Sequence, residues 1–260
     1  MAAITSASSS EALMAHIFIT GVSSGIGLAL ARLHLERGDE VWGISRRVPT
    51  ALLEHPRMHF RALDLCAGEA VQPVLQAFIG ETTFETAYLN AGTFGSAPEL
   101  ASNTPVESFR SVLELNLVAV KWVLDLLLCR QAKVSQVVFS ASVSGIRQRA
   151  GMLSYSVSKA ALNALAKVYQ LENPQVFFAV LGLCNVATTV AQTILQADER
   201  FPELVALRER STQPGYIVSA QQRAAQIVEL LGRRHAIALQ SGQFYEVRAL
   251  LERMHMEVCQ

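Results

Sequence analysis

Short apolar runs of strand character alternate with longer stretches of helical spacing along the chain. His16–Thr20 (HIFIT) reads as a first strand, and Ile26–Arg37 follows with helical spacing through Ile26, Leu30 and Leu33. Glu40–Ser45 and Met58–Leu63 read as strands, Glu69–Ile79 as a helix with Pro73 near its first turn, and Thr86–Asn90 as a strand. Thr104, Pro105 and Glu107 form a capping box at the start of a helix that runs to about Cys129. Gln136–Ser142 is a strand, Leu153–Gln170 a helix and Val176–Leu183 a strand. Gln196–Tyr216 breaks this rhythm: it is charged, irregular and closed by Pro214 and Gly215. A helix over Ser219–Leu231, a short strand over Gln243–Val247 and a helical tail complete the chain. Alternation of this kind, without repeats or a linker, predicts one α/β domain over residues 16–260, a doubly wound parallel sheet with helices on both faces.

Composition narrows the classes of function. Of 260 residues 51% are apolar and 17% charged, which excludes a disordered chain and supplies a large core. Lys plus Arg is 22 and Asp plus Glu is 22, so no cation surplus points to nucleic acid. No apolar run reaches the roughly 18 residues of a membrane span. Residues 1–15 are small and Ser-rich, and no Lys or Arg comes before Arg32, so they read as a flexible tail without a targeting signal. The expected location is the cytoplasm. Cys66, Cys129, Cys184 and Cys259 are widely spaced and read as reduced, mostly buried thiols. No metal site is expected: His55 and His59 have HxxxH spacing, but Pro56 between them spoils a metal-binding helix.

Thr20-Gly21-Val22-Ser23-Ser24-Gly25-Ile26-Gly27 joins the first strand to the first helix. Glycines there let backbone N–H groups approach a pyrophosphate, and the helix N-terminus adds partial positive charge. With this motif, Asp64-Leu65, Asn90-Ala91-Gly92, Asn116, Ser142 and Tyr155-Ser156-Val157-Ser158-Lys159, the chain resembles the short-chain dehydrogenase/reductase family from His16 to Val247. The resemblance implies a Rossmann-type fold, a catalytic set of Asn116, Ser142, Tyr155 and Lys159, and a lid over residues 190–216. It also implies a nicotinamide cofactor held by Gly21, Ser23, Ser24, Gly25, Ile26, Gly27, Asp64, Leu65, Asn90, Ala91, Gly92, Tyr155, Lys159, Val186 and Thr188.

The residues support that chemistry on their own terms. Tyr155 and Lys159 are four apart on a helix and share a face. A free tyrosine has a pKa of about 10, and a nearby ammonium brings it down towards a useful acid. Ser142 ends a strand, where it can orient a substrate carbonyl. Asn116 points away from the polar stripe of Ser111, Glu114, Lys121 and Asp125, so it needs a buried partner. In the family that residue anchors a water in a proton relay. Arg46 and Arg47 follow Ser45, where family members that use NAD carry an acid. A guanidinium there favours the 2′-phosphate of NADP(H), with Arg47 either assisting or solvated.

The expected activity is NADP(H)-dependent interconversion of a ketone or other carbonyl and a secondary alcohol; the alternative is a non-catalytic NADP-binding sensor or scaffold. One departure bears on it. Leu183-Cys184 stand where the family has Pro-Gly, beside the backbone that meets the nicotinamide amide. Phe94, Met152 and Phe201 are candidate apolar walls for the substrate. Arg147 and Arg149 lie between Ser142 and Tyr155, either meeting an anionic substrate group or simply solvated. The helix from Pro105 is apolar nearly all round, and the next carries Ala160, Ala161, Leu162, Ala164, Leu165 and Ala166. Such faces predict a homodimer, or a homotetramer built from it, of the kind common in the family.

Overall fold

Seven parallel strands form one sheet in the order β3-β2-β1-β4-β5-β6-β7 in the computed structural model, which describes residues 14–129 and 133–258. The strands are β1 (His16–Thr20), β2 (Glu40–Ser45), β3 (Met58–Ala62), β4 (Phe84–Leu89), β5 (Val134–Ala141), β6 (Phe177–Gly182) and β7 (Phe244–Glu246). The helices are α1 (Gly25–Glu36), α2 (Val71–Ile79), α3 (Val106–Leu113), α4 (Ala119–Leu128), α5 (Leu153–Glu172), α6 (Thr189–Leu195), α7 (Pro202–Ser211), α8 (Ala220–Gly232) and α9 (Val247–Val258). The tail expected over residues 1–15 lies outside the described residues except for Met14 and Ala15.

Period-two alternation distributes the strands' side chains between two cores. Ile17, Ile19, Val138 and Leu181 pack with α1, α8 and α9 on one face. Phe18, Val137, Phe139 and Val180 pack with α2, α4 and α5 on the other. The order in which successive strands join the sheet reverses between β1 and β4, all strands staying parallel, and a crevice opens there at the carboxyl ends of the strands.

Four local expectations change. First, the long helix from Pro105 is interrupted by a π-helical turn over Glu114–Val118, which joins α3 to α4. Second, the capping box does not form: the Thr104 hydroxyl donates to the Leu100 carbonyl at 3.1 Å, closing the preceding turn, and Pro105 occupies the N-cap position. Third, the segment read as irregular contains α7, started by Pro202 and anchored by the buried Leu204. Fourth, Cys66 and Cys129 are exposed, one in the turn after β3 and one at the end of α4, so neither is a packed core thiol. Cys259 lies outside the described residues.

Candidate active site

A cavity of about 1070 Å³ occupies the crevice. At one end lies the glycine turn after β1. Gly21 has φ +82°, and a Cβ on it would stand 3.1 Å from the Ala91 Cα. A Cβ on Gly27 would stand 2.3 Å from the Gly21 carbonyl oxygen, so this glycine lets the helix sit against the turn without itself lining the cavity. The Thr20 hydroxyl accepts from the N–H groups of both Asn90 and Ala91 at 2.9 Å, binding the two loops into one wall. Nothing in the spacing of the glycine motif, which this threonine opens, marks its hydroxyl as a tie to the loop after β4.

Ser24 caps α1 through its backbone only, with no acid in the first helical turn, so the first N–H groups of α1 are available to an anion. Ser23, Ser24, Gly25 and Ile26 line the same end, with Arg46 and Arg47 from the end of β2. Arg47 donates to the Ser24 hydroxyl at 3.2 Å. Asp64, Leu65, Asn90, Ala91 and Gly92 continue the wall. Asp64 accepts from the Cys66 N–H at 3.0 Å, and Asn90 from the Ser140 hydroxyl at 3.1 Å. A helix end with free N–H groups, two arginines and the crevice fit a nicotinamide dinucleotide.

Further along, Ser142, Tyr155 and Lys159 line the cavity together. Ser142 directly follows β5 and accepts from the Ser144 N–H at 3.2 Å, which fixes its hydroxyl at the mouth of a tight turn. The Lys159 ammonium lies 5.6 Å from the centre of the Tyr155 ring and donates to the Ser140 carbonyl at 2.7 Å. Burial pushes the Tyr155 hydroxyl up from its usual range, and a hydrogen bond from Ser142 opposes the shift. The spacing of Tyr155 and Lys159 predicts that the ammonium lowers it. Here desolvation dominates, and the ammonium is directed at a backbone carbonyl. Burial also brings Lys159 down to about 8.

Asn116 sits on the π-helical turn, 1% exposed, and does not line the cavity. Its amide holds the Thr93 backbone and donates to the Ser158 hydroxyl at 3.0 Å. Ser158 in turn donates to the Tyr155 carbonyl at 2.7 Å, a link that the Tyr-x-x-x-Lys spacing does not reveal.

Past β6, Val186 pairs with Val218, and Thr188 caps α6; both line the cavity. Cys184 lines it too and adopts φ +58°. The backbone therefore takes a left-handed conformation that glycine adopts freely, with a cysteine in place of the glycine. Phe94 and Met152 wall the cavity beside Tyr155, whereas Phe201 is buried against Gly151 and does not reach it.

The sequence profile described as short chain dehydrogenase matches residues 15–199. The chain belongs to the short-chain dehydrogenase family. It is 27% identical over 208 residues to a probable short-chain type dehydrogenase/reductase of Helicobacter pylori, covering 76% of this chain and 74% of that one. It is 25% identical over 165 residues to a 3-oxoacyl-[acyl-carrier-protein] reductase of Chlamydia muridarum, covering 59% of this chain and 66% of that one. A short-chain dehydrogenase/reductase from Burkholderia multivorans, solved with bound NADP, superposes with a TM-score of 0.71 at 22% identity, over 90% of this chain and 97% of that one. The short-chain dehydrogenase is thus an oxidoreductase with the Rossmann-type α/β fold. Among the described residues no helix is long and apolar enough to cross a membrane.

Proposed function

We propose that this short-chain dehydrogenase interconverts a ketone and a secondary alcohol with NADP(H). The observation that carries the reading is the convergence of Ser142, Tyr155 and Lys159 on a cavity whose far end holds the glycine turn and Arg46. The bound nicotinamide supplies, or takes up, the hydride. Every other task falls to the chain. The α1 N-terminus and Ser23–Ile26 hold the pyrophosphate, Asp64, Leu65 and Asn90–Gly92 flank the adenosine, and Arg46 with Arg47 takes the 2′-phosphate. Val186, Thr188 and the left-handed Cys184 shape the nicotinamide side.

Ser142 donates to the substrate carbonyl and fixes its orientation, and Tyr155 gives that oxygen its proton in the reducing direction. A tyrosine whose pKa is raised by burial is fully protonated near neutrality, which suits a donor. Lys159 holds the ribose and keeps positive charge beside the developing phenolate. Asn116 serves the relay by fixing the Thr93 and Ser158 groups that border Lys159. Residues 190–216 act as the lid.

The apolar outer face of α5, with Val157, Val168 and Leu171 exposed, is the surface on which two copies pair.

Turnover of a ketone panel, followed by NADPH absorbance, tests the reading. Tyr155→Phe should lower kcat by about 10²–10⁴-fold while leaving NADPH binding intact. Binding of NADPH without native turnover of any carbonyl would favour the sensor or scaffold instead.

A further inference from the structure

The strand order separates two groups of arginines. Arg46 and Arg47 follow β2, whereas Arg147 and Arg149 follow β5, Arg210 lies on α7 after β6, and Arg248 follows β7. With strands about 4.8 Å apart, Arg147 and Arg149 share the end of β5 with Ser142, and Arg210 and Arg248 follow strands still further from the glycine turn. All four line the cavity. None of the four makes an ion pair among the described residues, although Arg200, Arg110 and Arg233 on the outer surface do. The acids on this part of the wall are Glu203 and Glu246, and neither reaches an arginine.

The cluster is held together. The Arg210 Nε donates to the Tyr216 hydroxyl at 3.2 Å, and the Arg248 guanidinium stands 5.2 Å from the centre of the same ring. The Arg147 N–H donates to the Val143 carbonyl at 2.8 Å, one residue past Ser142, so this arginine loop is fastened to the catalytic strand end. Burial, with repulsion from Arg147 and Arg210, pushes the half-buried Arg149 guanidinium below its ordinary value, while Glu203 opposes the shift. Cations gathered on one cavity wall, Arg149 half-buried and Arg147, Arg210 and Arg248 exposed, favour a ligand that brings the missing negative charge.

We infer that the substrate carries an anionic group, a carboxylate or a phosphate, which Arg149 and Arg210 bind while Ser142 and Tyr155 hold its carbonyl. Arg147 and Arg248 add to the field around that group. Phe94, Met152, Val190 and Ile194 form an apolar cluster beside the catalytic tyrosine, so the segment joining carbonyl to anion is hydrocarbon. This inference rests on the proposed carbonyl chemistry, and its test separates the two.

Three methyl ketones of equal length, ending in a carboxylate, a phosphate monoester or a methyl ester, are compared by NADPH consumption. An anionic ketone should exceed the ester in kcat/KM by about tenfold to a hundredfold, the worth of one or two charged hydrogen bonds. The larger of the two anionic advantages identifies the group. Arg149→Met and Arg210→Met should bring the anion-to-ester ratio towards one through KM, and Arg149→Lys should retain most of it. An ester used as well as both anions overturns the inference and leaves the carbonyl reading standing.

Calorimetry on the NADP⁺ complex supplies a readout that needs no turnover. Hexanoate should bind and hexanamide should not, with the difference lost in Arg149→Met. Equal binding of the two probes overturns the anion site. Selective hexanoate binding without reduction of any ketone upholds the site and overturns the carbonyl chemistry.

Discussion

Asn116 and Thr93 exchange a pair of hydrogen bonds, as two residues facing each other across a strand pair do. The Thr93 N–H donates to the Asn116 Oδ1 at 2.8 Å, and the Asn116 Nδ2 donates to the Thr93 carbonyl at 2.8 Å. A side chain thereby finishes the backbone pairing of the loop after β4, next to Gly92 and the Lys159 ammonium. The π-helical turn is what places it there.

Asn116→Leu keeps the branched shape but is bulkier; it strips the Thr93 N–H and carbonyl of their partner and leaves the Ser158 hydroxyl only its bond to the Tyr155 carbonyl. It should destabilise the fold by about 2–4 kcal/mol, because each stranded buried group costs its own desolvation. Urea unfolding measures this, and a loss of less than about 1 kcal/mol would refute the role given to the pair.

NADPH should bind more tightly than NADH, and Arg46→Ala should cut the preference by about tenfold to a hundredfold. Arg46 is exposed on the cavity wall, so the substitution spares the core. Equal dissociation constants for the two cofactors in the native protein would contradict the assignment.

Cys184→Gly should stabilise the protein by about 1 kcal/mol. A non-glycine residue in the left-handed region costs roughly 1–3 kcal/mol, and glycine's greater freedom in the unfolded chain offsets part of the gain. A destabilised variant would show that the thiol's contacts outweigh the strain. Those contacts are with the Gly182 carbonyl at 3.3 Å and the Glu246 carboxylate at 3.9 Å.

Lys159 gives a pH-dependent prediction. Its value falls from 10.5 to about 8 on folding, through burial. Between those values the unfolded chain binds a proton that the folded protein does not, so this group's contribution to stability rises with pH across the window. Lys159→Met should lose turnover yet be more stable than the native protein at about pH 7, by about 1–3 kcal/mol. That gap should narrow towards about pH 10. Denaturant unfolding of both proteins at the two pH values tests it, and a constant gap would remove burial as the cause.

Light scattering at micromolar concentration with NADPH present should give a dimer or tetramer mass, and Val168→Glu on the exposed face of α5 should lower it. A monomer mass for the native protein would overturn the proposed pairing.

Signals that live within a few residues of one another were legible in the chain itself. HIFIT alternates between two cores because successive strand side chains point to opposite faces. The glycine turn follows from spacing, and Tyr155 and Lys159 share a helix face because four residues make about one turn. Arg46 was legible as the residue after a strand end. Interactions between distant segments were not. The π-helical turn sits in a stretch whose composition suits an ordinary helix, and Asn116 finds its partners on Thr93 and on Ser158, 42 residues further along. The direction of the tyrosine shift depended on burial, which no sequence spacing encodes, and it ran opposite to the local expectation. Cys184 keeps a glycine's conformation because β6, β7 and the Val186–Val218 pairing hold the chain on either side of it. The arginines of the cavity wall near Tyr216 come from loops and helices after three different strands. Only the assembly of the sheet brings them to one wall, because strand order, and not sequence distance, decides which segments meet.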